Sequence, residues 1–438
     1  LPDLPSFDQA IAAASKLAAA HLANLPQRRV AQMQRAAAPA PPDGGGFDAA
    51  LALLAERVAP WLSASPGPRY LGFVTGGVTP EALAADWLVS TWDQNVSNAI
   101  GSIAAELESV TVAAYAQVFG IAAGMHGQFV SGATAANLVG LVTAREWAAR
   151  KTADQRATVF AGAAHSSILK AMAIAGIGRG QYRAVATLPG RTAVDTAALE
   201  AALQQHRGPA IVVASAGEVN TGDFDDIDAL ASLAERYDAW LHVDGAFGLF
   251  ASLLPTLSAR LRGLERAHSV TVDLHKWLNV PYDSAIAYTS RPDLQREIFA
   301  ASSAYLGSDP DPLHFTPENS RRLRALPAWM VMATRGRAGI AEWVAANCAQ
   351  AQALAEGLAA SGRFDVLGGV HLNIVCFALK EGDAAARDAW LQALNAGGEV
   401  FMTPTQLFGR AAVRAAFSNW STTQADVARI LAAIAATP

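Results

Sequence analysis

Lysine is rare in this 438-residue chain: five of its 33 basic residues are lysines, at positions 16, 151, 170, 276 and 380. Four of them stand in polar or amphipathic surroundings. Lys276 instead follows the apolar run Val270-Thr271-Val272 and sits between His275 and Trp277. An amine at the carboxyl end of a buried strand occupies the place where α/β sheets open their ligand crevice. Partial burial lowers an amine's pKa, because the charged form loses hydration, and a neutral amine can attack a carbonyl carbon to form a Schiff base. The competing reading is a surface lysine with a packed stem and a solvated head, which describes most lysines.

Three further features bear on that lysine. Asp244 ends another apolar strand, in Trp240-Leu241-His242-Val243-Asp244-Gly245-Ala246-Phe247-Gly248. Taken alone it reads most simply as a helix cap. Paired with Lys276, one strand unit later, it fits a pyridoxal phosphate site, in which a carboxylate keeps the pyridine nitrogen protonated so that the ring can accept electrons. The run Gln128-Phe129-Val130-Ser131-Gly132-Ala133-Thr134-Ala135-Ala136-Asn137 leads into a helix whose N-terminal N–H groups suit a phosphate, although an ordinary cap is the commoner meaning of such a turn. His165 opens another helix just after a strand, as a cap neighbour or as a flat ring stacked on a cofactor.

The elements that must hold these residues follow from periodicity. Apolar runs at Thr158–Ala161, Tyr182–Ala186, Ala210–Ala214, Trp240–Val243, Ser269–Val272 and Ser284–Tyr288 alternate with helical stretches at Ser166–Ala175, Asp195–Gln205 and Asp225–Tyr237. This pattern predicts an α/β fold with a mostly parallel central sheet and helices on both faces. Residues 1–64 form an N-terminal helical segment, broken by a Pro/Gly-rich loop at 40–46, with too little apolar surface to fold alone. Residues 65–330 make the large α/β domain. Residues 331–438 begin within a long Ala-rich helix, expected over Trp329–Leu358, and make a smaller α+β domain with strands at Val366–Val370 and Asn373–Ala378.

Composition narrows the class. A chain that is 52% hydrophobic and 16% charged is not disordered. A net charge of −5 argues against nucleic acid or an anionic membrane as the main partner. Two cysteines, Cys348 and Cys376, exclude a disulfide framework or a Cys-based zinc site. No apolar stretch reads as a membrane span, and the first ten residues lack the pattern of a signal peptide, so a cytoplasmic location is expected.

Together these residues resemble the group II pyridoxal-phosphate-dependent amino-acid decarboxylases, the family of aromatic-L-amino-acid, histidine, glutamate and cysteine-sulfinate decarboxylases. The resemblance runs from about Pro68 to the C-terminus through Pro68–Phe73, Glu106–Glu108, Ser131–Asn137, His165–Ser167, Asn220–Gly222, His242–Ala246 and His275–Trp277. It implies fold type I, the aspartate-aminotransferase-like fold. It also implies that Lys276 carries the cofactor, Asp244 faces the pyridinium nitrogen, Ala246 packs under the ring and His165 stacks above it. Ser131, Gly132, Ala133 and Thr134 match the phosphate cup, with His275 beside it and Thr221 as a further cofactor ligand. Two departures stand out: Ala135-Ala136 lacks the family's acidic residue, and Gly217-Glu218-Val219 replaces its Gly-Thr-Thr.

The resemblance also implies that Tyr305 lies on a loop closing over the partner subunit's site, where its phenol returns a proton to Cα after CO₂ leaves. Family members with phenylalanine there tend to be aldehyde synthases, so the tyrosine favours simple decarboxylation. An obligate homodimer follows, with residues 1–64 exchanged across its interface. Arg414 matches a family arginine of the C-terminal domain, as a carboxylate ligand or as one half of a structural ion pair. Phe73 and Phe247 offer apolar walls, while Asp93-Gln94-Asn95 would suit a polar side chain. With no arginine in Tyr70–Thr75 or Val96–Ser102, the expected substrate is an aromatic L-amino acid rather than glutamate. An acidic or other polar amino acid such as glutamate, aspartate or diaminobutyrate, another reaction of the same cofactor (aldehyde synthesis or transamination), and a non-catalytic homologue are the alternatives. A hydrolase has little support, since neither Gly-x-Ser-x-Gly nor His-Glu-x-x-His occurs.

Overall fold

The computed structural model describes residues 4–34, 36–97, 101–152, 156–301 and 311–438. Continuous apolar runs bounded by turns become strands buried on both faces. Seven of them form one sheet: β1 (His126–Val130), β2 (Thr158–Ala161), β3 (Tyr182–Ala184), β4 (Ala210–Ser215), β5 (Trp240–Asp244), β6 (Ser269–Asp273) and β7 (Ala285–Thr289). Every residue of β2, β5, β6 and β7 is buried, as expected when helices cover both faces. Their order is β1-β7-β6-β5-β4-β2-β3, parallel from β3 through to β6, with β7 antiparallel to both of its neighbours.

Strand β1 was not among the expected strands, because His126-Gly127-Gln128 lacks a β-branched pattern. A buried ion pair fixes it instead. Arg321 donates to both carboxylate oxygens of Glu108 at 2.5 Å and to Gln128 Oε1 at 3.1 Å, while Glu108 Oε1 accepts the Phe129 N–H at 3.3 Å. Glu108, one of the motif residues, thus anchors the strand that leads into the Ser131–Thr134 turn.

A second, antiparallel sheet joins β8 (Phe364–Val366), β9 (Ile374–Leu379), β10 (Thr403–Leu407) and β11 (Arg410–Ala416) in the order β10-β11-β9-β8. The helix Ala325–Ala360 links the two sheets and bends at Gly336, whose φ of 61° is open to glycine. The expected division at 330/331 falls inside this helix. Strand β8 starts two residues earlier than expected and is shorter, because the chain turns away at Gly368 and Gly369, both with positive φ.

The N-terminal helix Phe7–Asn24 starts with a reciprocal Ser6/Gln9 capping box, yet it buries no side chain. Phe7 is 89% exposed and Ile11 51%. The following helix, Phe47–Leu53, likewise buries none. Between them the chain is pinned to the body by Val30 N–H donating to the Gly398 carbonyl and by Arg69 Nη1 donating to that of Pro26. Among the described residues, no helix is long and apolar enough to cross a membrane.

Candidate active site

Strands β5 and β6 are parallel neighbours, with His242 paired to Ser269 and Asp244 to Thr271. Each ends in a buried aspartate, at the carboxyl edge where a parallel sheet opens its crevice. Past β6 the chain turns into a single helical turn, Leu274–Trp277, which holds Lys276 half-buried. The Lys276 amine lies 4.0 Å from Asp273 Oδ2 and 5.9 Å from the centroid of the Phe247 ring. The backbone of Gly76 crosses against this turn so closely that a Cβ there would sit 1.8 Å from the Lys276 carbonyl oxygen.

His165 caps the helix Ser166–Ile174, its Nδ1 accepting the Ser167 N–H at 3.2 Å and meeting Ser167 Oγ at 2.8 Å. The residue is exposed, yet the surrounding protein lowers its pKa by desolvation. The field of Asp244 opposes that shift, and those of Lys276 and Arg414 add to it. Three groups expected in the site, Lys276, Asp244 and Arg414, are therefore each within electrostatic reach of His165.

The two aspartates differ in their partners. Asp244 Oδ1 accepts the Ala246 N–H at 3.2 Å and Oδ2 accepts the Asn137 amide at 3.0 Å. Asp273 Oδ2 accepts the Ala133 N–H at 3.0 Å, and Oδ1 stands 3.0 Å from His275 Nδ1. Burial pushes the Asp273 carboxyl up to about 7, against the pull of Lys276 and the Ala133 N–H. Burial and Lys276 push His275 down to about 3. His275 is neutral and its Nδ1 accepts the Ser284 N–H at 3.3 Å, so the single lone pair there is taken and the nearby Asp273 Oδ1 makes no hydrogen bond with it. His275 then carries its own proton on Nε2.

The 17-residue helix Ala133–Ala149 begins at Gly132 with no side-chain cap. A Cβ on Gly132 would lie 3.2 Å from His275 Cε1, so glycine keeps space open beside that imidazole. The residues present fit pyridoxal phosphate. They offer an amine at Lys276, a carboxylate at Asp244 held by N–H donors, a small side chain at Ala246, and an uncapped helix start flanked by Ser131, Thr134 and His275. Of the expected cup, the Ala133 N–H is already committed to Asp273.

Thr221 stands apart from this cluster. It is fully buried, and its hydroxyl is engaged with Thr192 Oγ at 2.9 Å and Glu218 Oε2 at 3.2 Å. The hydroxyl is spent inside its own turn, which Glu218 organises by also accepting the N–H groups of Asn220 and Thr221. Phe73 is 56% exposed, has a positive φ of 58° and leans on Phe401, with ring centroids 6.5 Å apart. Arg414, on β11, donates to the Val219 carbonyl at 3.1 Å, and among the described residues no carboxylate lies within ion-pair distance of it. Tyr305 lies outside the described residues. Sequence reasoning overlooked Asp273 and gave Asn137 no role. The signal for Asp273 was available, since it ends its strand just as Asp244 does.

A family model for the pyridoxal-dependent decarboxylase conserved domain matches residues 32–380. The chain belongs to that family. It is a pyridoxal-phosphate-dependent amino-acid decarboxylase by family. It is 27% identical to an aromatic-L-amino-acid decarboxylase of Bacillus atrophaeus, over 84% of this chain and 81% of that one. It is 29% identical to an L-2,4-diaminobutyrate decarboxylase of Rhizobium meliloti (strain 1021), over 91% and 83%. The Oryza sativa tryptophan decarboxylase structure described as "TDC with PLP and tryptamine" superposes with a TM-score of 0.91 at 24% identity, over 98% of this chain and 96% of that one. At that identity the superposition speaks for the fold, which is fold type I.

Proposed function

We propose that this decarboxylase acts on an aromatic L-amino acid, releasing CO₂ and the corresponding amine, and that it does so as an obligate homodimer. The observation that carries the reading is the convergence of Lys276, Asp244 and His165 at the ends of neighbouring elements, beside the Phe247 ring. Bound there, pyridoxal phosphate supplies an electron sink for the bond broken at Cα. Lys276 holds it covalently through its amine. Asp244, fixed by the Ala246 and Asn137 N–H groups, keeps a proton on the ring nitrogen. Ala246 and His165 bracket the ring. Ser131, Gly132 and Thr134 at the helix start, with the Nε2 proton of His275, receive the phosphate. Arg414 stands near His165 and orients the substrate carboxylate; Tyr305 from the partner subunit returns the proton to Cα.

The aromatic preference rests on Phe247 and Phe73, on the lack of arginine in Tyr70–Thr75, and on the named activities of relatives such as the Bacillus atrophaeus enzyme. A diaminobutyrate-type substrate is the second reading, favoured by the broad match to the Rhizobium meliloti enzyme. The dimer is supported by the N-terminal helix, capped yet without a buried side chain, so that Phe7 and Ile11 await a surface. The division into 1–64, 65–330 and 331–438 belongs to the same reading, with the first segment lying on the partner. Two unpaired cysteines agree with a reducing, cytoplasmic setting.

Borohydride reduction of the loaded protein followed by peptide mapping is expected to find the cofactor on Lys276. An amino-acid panel scored for CO₂ is expected to rank tryptophan, tyrosine or dihydroxyphenylalanine first. Release of hydrogen peroxide or an α-keto acid in place of CO₂, or a modified lysine elsewhere, would overturn the reading.

A further inference from the structure

Behind Asp244 runs a chain of buried side chains that links it through Asn137 to His242, Ser269 and Trp240. Trp240, His242 and Asp244 alternate along β5 and so share one face of the sheet, while the register of β6 sets Ser269 opposite His242. Trp240 Nε1 donates to Ser269 Oγ at 2.9 Å, and Ser269 Oγ lies 2.8 Å from His242 Nδ1. His242 Nε2 lies 2.9 Å from Asn137 Oδ1. The Asn137 amide nitrogen reaches both Asp244 Oδ2 at 3.0 Å and Ser167 Oγ at 3.1 Å, and Ser167 Oγ reaches His165 Nδ1 at 2.8 Å. Trp240, His242, Ser269 and Asn137 are all fully buried.

The direction of every bond in this chain is determined. An indole can only donate and a carboxylate can only accept, so both ends are fixed. The amide nitrogen of Asn137 must face Asp244, which turns its oxygen to His242 and requires the His242 proton on Nε2. Burial pushes His242 down to about 4, so the ring is neutral and its Nδ1 accepts the Ser269 hydroxyl proton. The second amide hydrogen of Asn137 goes to Ser167, whose own proton passes to His165 Nδ1. His165 is left with its proton on Nε2. Gly140, one helical turn beyond Asn137, makes room for the arrangement: a Cβ there would stand 2.8 Å from His242 Nδ1.

We propose that Asn137, backed by His242 and Ser269, is a positioning residue that couples the two groups flanking the cofactor ring, aiming the Asp244 carboxylate at the ring nitrogen while holding His165 as an Nε2 donor. This rests on the pyridoxal phosphate reading above, and the test separates the two. Loaded wild type, N137A, H242L and H242Q are compared by borohydride trapping on Lys276, cofactor dissociation constant, the pH dependence of the visible absorption band, and the split between kcat and KM. The amide of H242Q keeps an N–H donor where Nε2 stood.

Trapping is expected in all four. N137A and H242L should bind cofactor about 10–100-fold more weakly and lose kcat by a similar factor, with KM within about threefold and the absorption midpoint displaced. H242Q should stay within about threefold of wild type. If N137A does not fold, the contrast of H242Q with H242L reads the same point. A wild type that takes no cofactor on Lys276 would sink the underlying reading and this inference with it. Wild-type affinity and absorption in folded N137A and H242L, or H242Q as impaired as H242L, would sink this inference alone.

Discussion

Strands β5 and β6 lie side by side, run the same way and end in the same residue type, yet the two carboxyls they present live in opposite conditions. Asp244 has an N–H donor on each oxygen, from Asn137 and from Ala246. Asp273 has one N–H donor, from Ala133, and its other oxygen faces an imidazole nitrogen that carries no proton. The first is equipped to remain an acceptor. The second is driven by burial to hold a proton near neutrality. Neighbouring donors, and not the strand or the residue type, set the two carboxyls apart, and Asp273 ties the Lys276 turn to the helix Ala133–Ala149.

One substitution made at both sites puts this contrast to work. Aspartate to asparagine mimics the protonated acid, so it should harm one site and suit the other. D244N is expected to lower kcat/KM by about 10²–10³-fold while leaving the borohydride-trapped adduct on Lys276. D273N should stay within about tenfold of wild type, because its oxygen can accept the Ala133 N–H and a neutral amide suits a buried site that already favours the protonated acid. Equal losses in the two variants would break the comparison.

Further along the same sheet, the Glu108–Arg321 pair holds β1 against its surroundings. Truncating one partner leaves a buried charge alone, so R321M should cost about 3–5 kcal/mol in urea unfolding. Loss of the pair should also weaken phosphate affinity, because β1 feeds the Ser131–Thr134 turn. An unchanged midpoint would show that β1 is held by its ladder with β7 alone.

The pH dependence of stability isolates Asp273. A carboxyl whose folded pKa is raised contributes stability that is complete below its unfolded pKa and is lost as pH rises through the folded value. Here that window runs from about 4 to about 7. His242 and His275, pushed down to about 4 and about 3, contribute in the opposite sense, with stability lost as pH falls below the ordinary histidine range. The two trends offset each other in wild type. Cofactor-free D273N should therefore gain melting temperature relative to wild type between pH 4 and pH 7, by differential scanning fluorimetry. A difference independent of pH would contradict a proton-holding Asp273.

The smallest expected effect on the chain's own stability lies in the N-terminal helix. I11E should change unfolding of a single chain by no more than about 0.5 kcal/mol, since Ile11 is exposed. Sedimentation should nevertheless show the proposed dimer weakened. An unaltered dimer would mean that this helix covers something other than the partner.

Much of the frame was legible because its signals are local. Runs such as Trp240–Val243 and Ser269–Val272 differ from the observed strands only by the aspartate that ends each. The helical stretches expected at Asp195–Gln205 and Asp225–Tyr237 match helices that Asp195 and Asp226 cap. Strand β1 escaped notice because its support comes from residues 21 and 193 positions away, Glu108 to Phe129 and Arg321 to Gln128. Thr221 matched the family's motif, yet its hydroxyl is taken up by Glu218, one of the residues that replace the family's Gly-Thr-Thr.

By itself the sequence determined the chemistry on offer. One lysine follows an apolar strand, one aspartate ends another, and a glycine-led turn opens a helix; these are contiguous patterns that a chain displays before it folds. Only the tertiary structure decided how each group is protonated and aimed. The Asn137 amide bridges Asp244 and Ser167 from 107 and 30 positions away, and Ala133 donates to Asp273 across 140. Protonation depends on burial and on donors within about 3 Å, and those neighbours come together only when sheet register and helix packing are set.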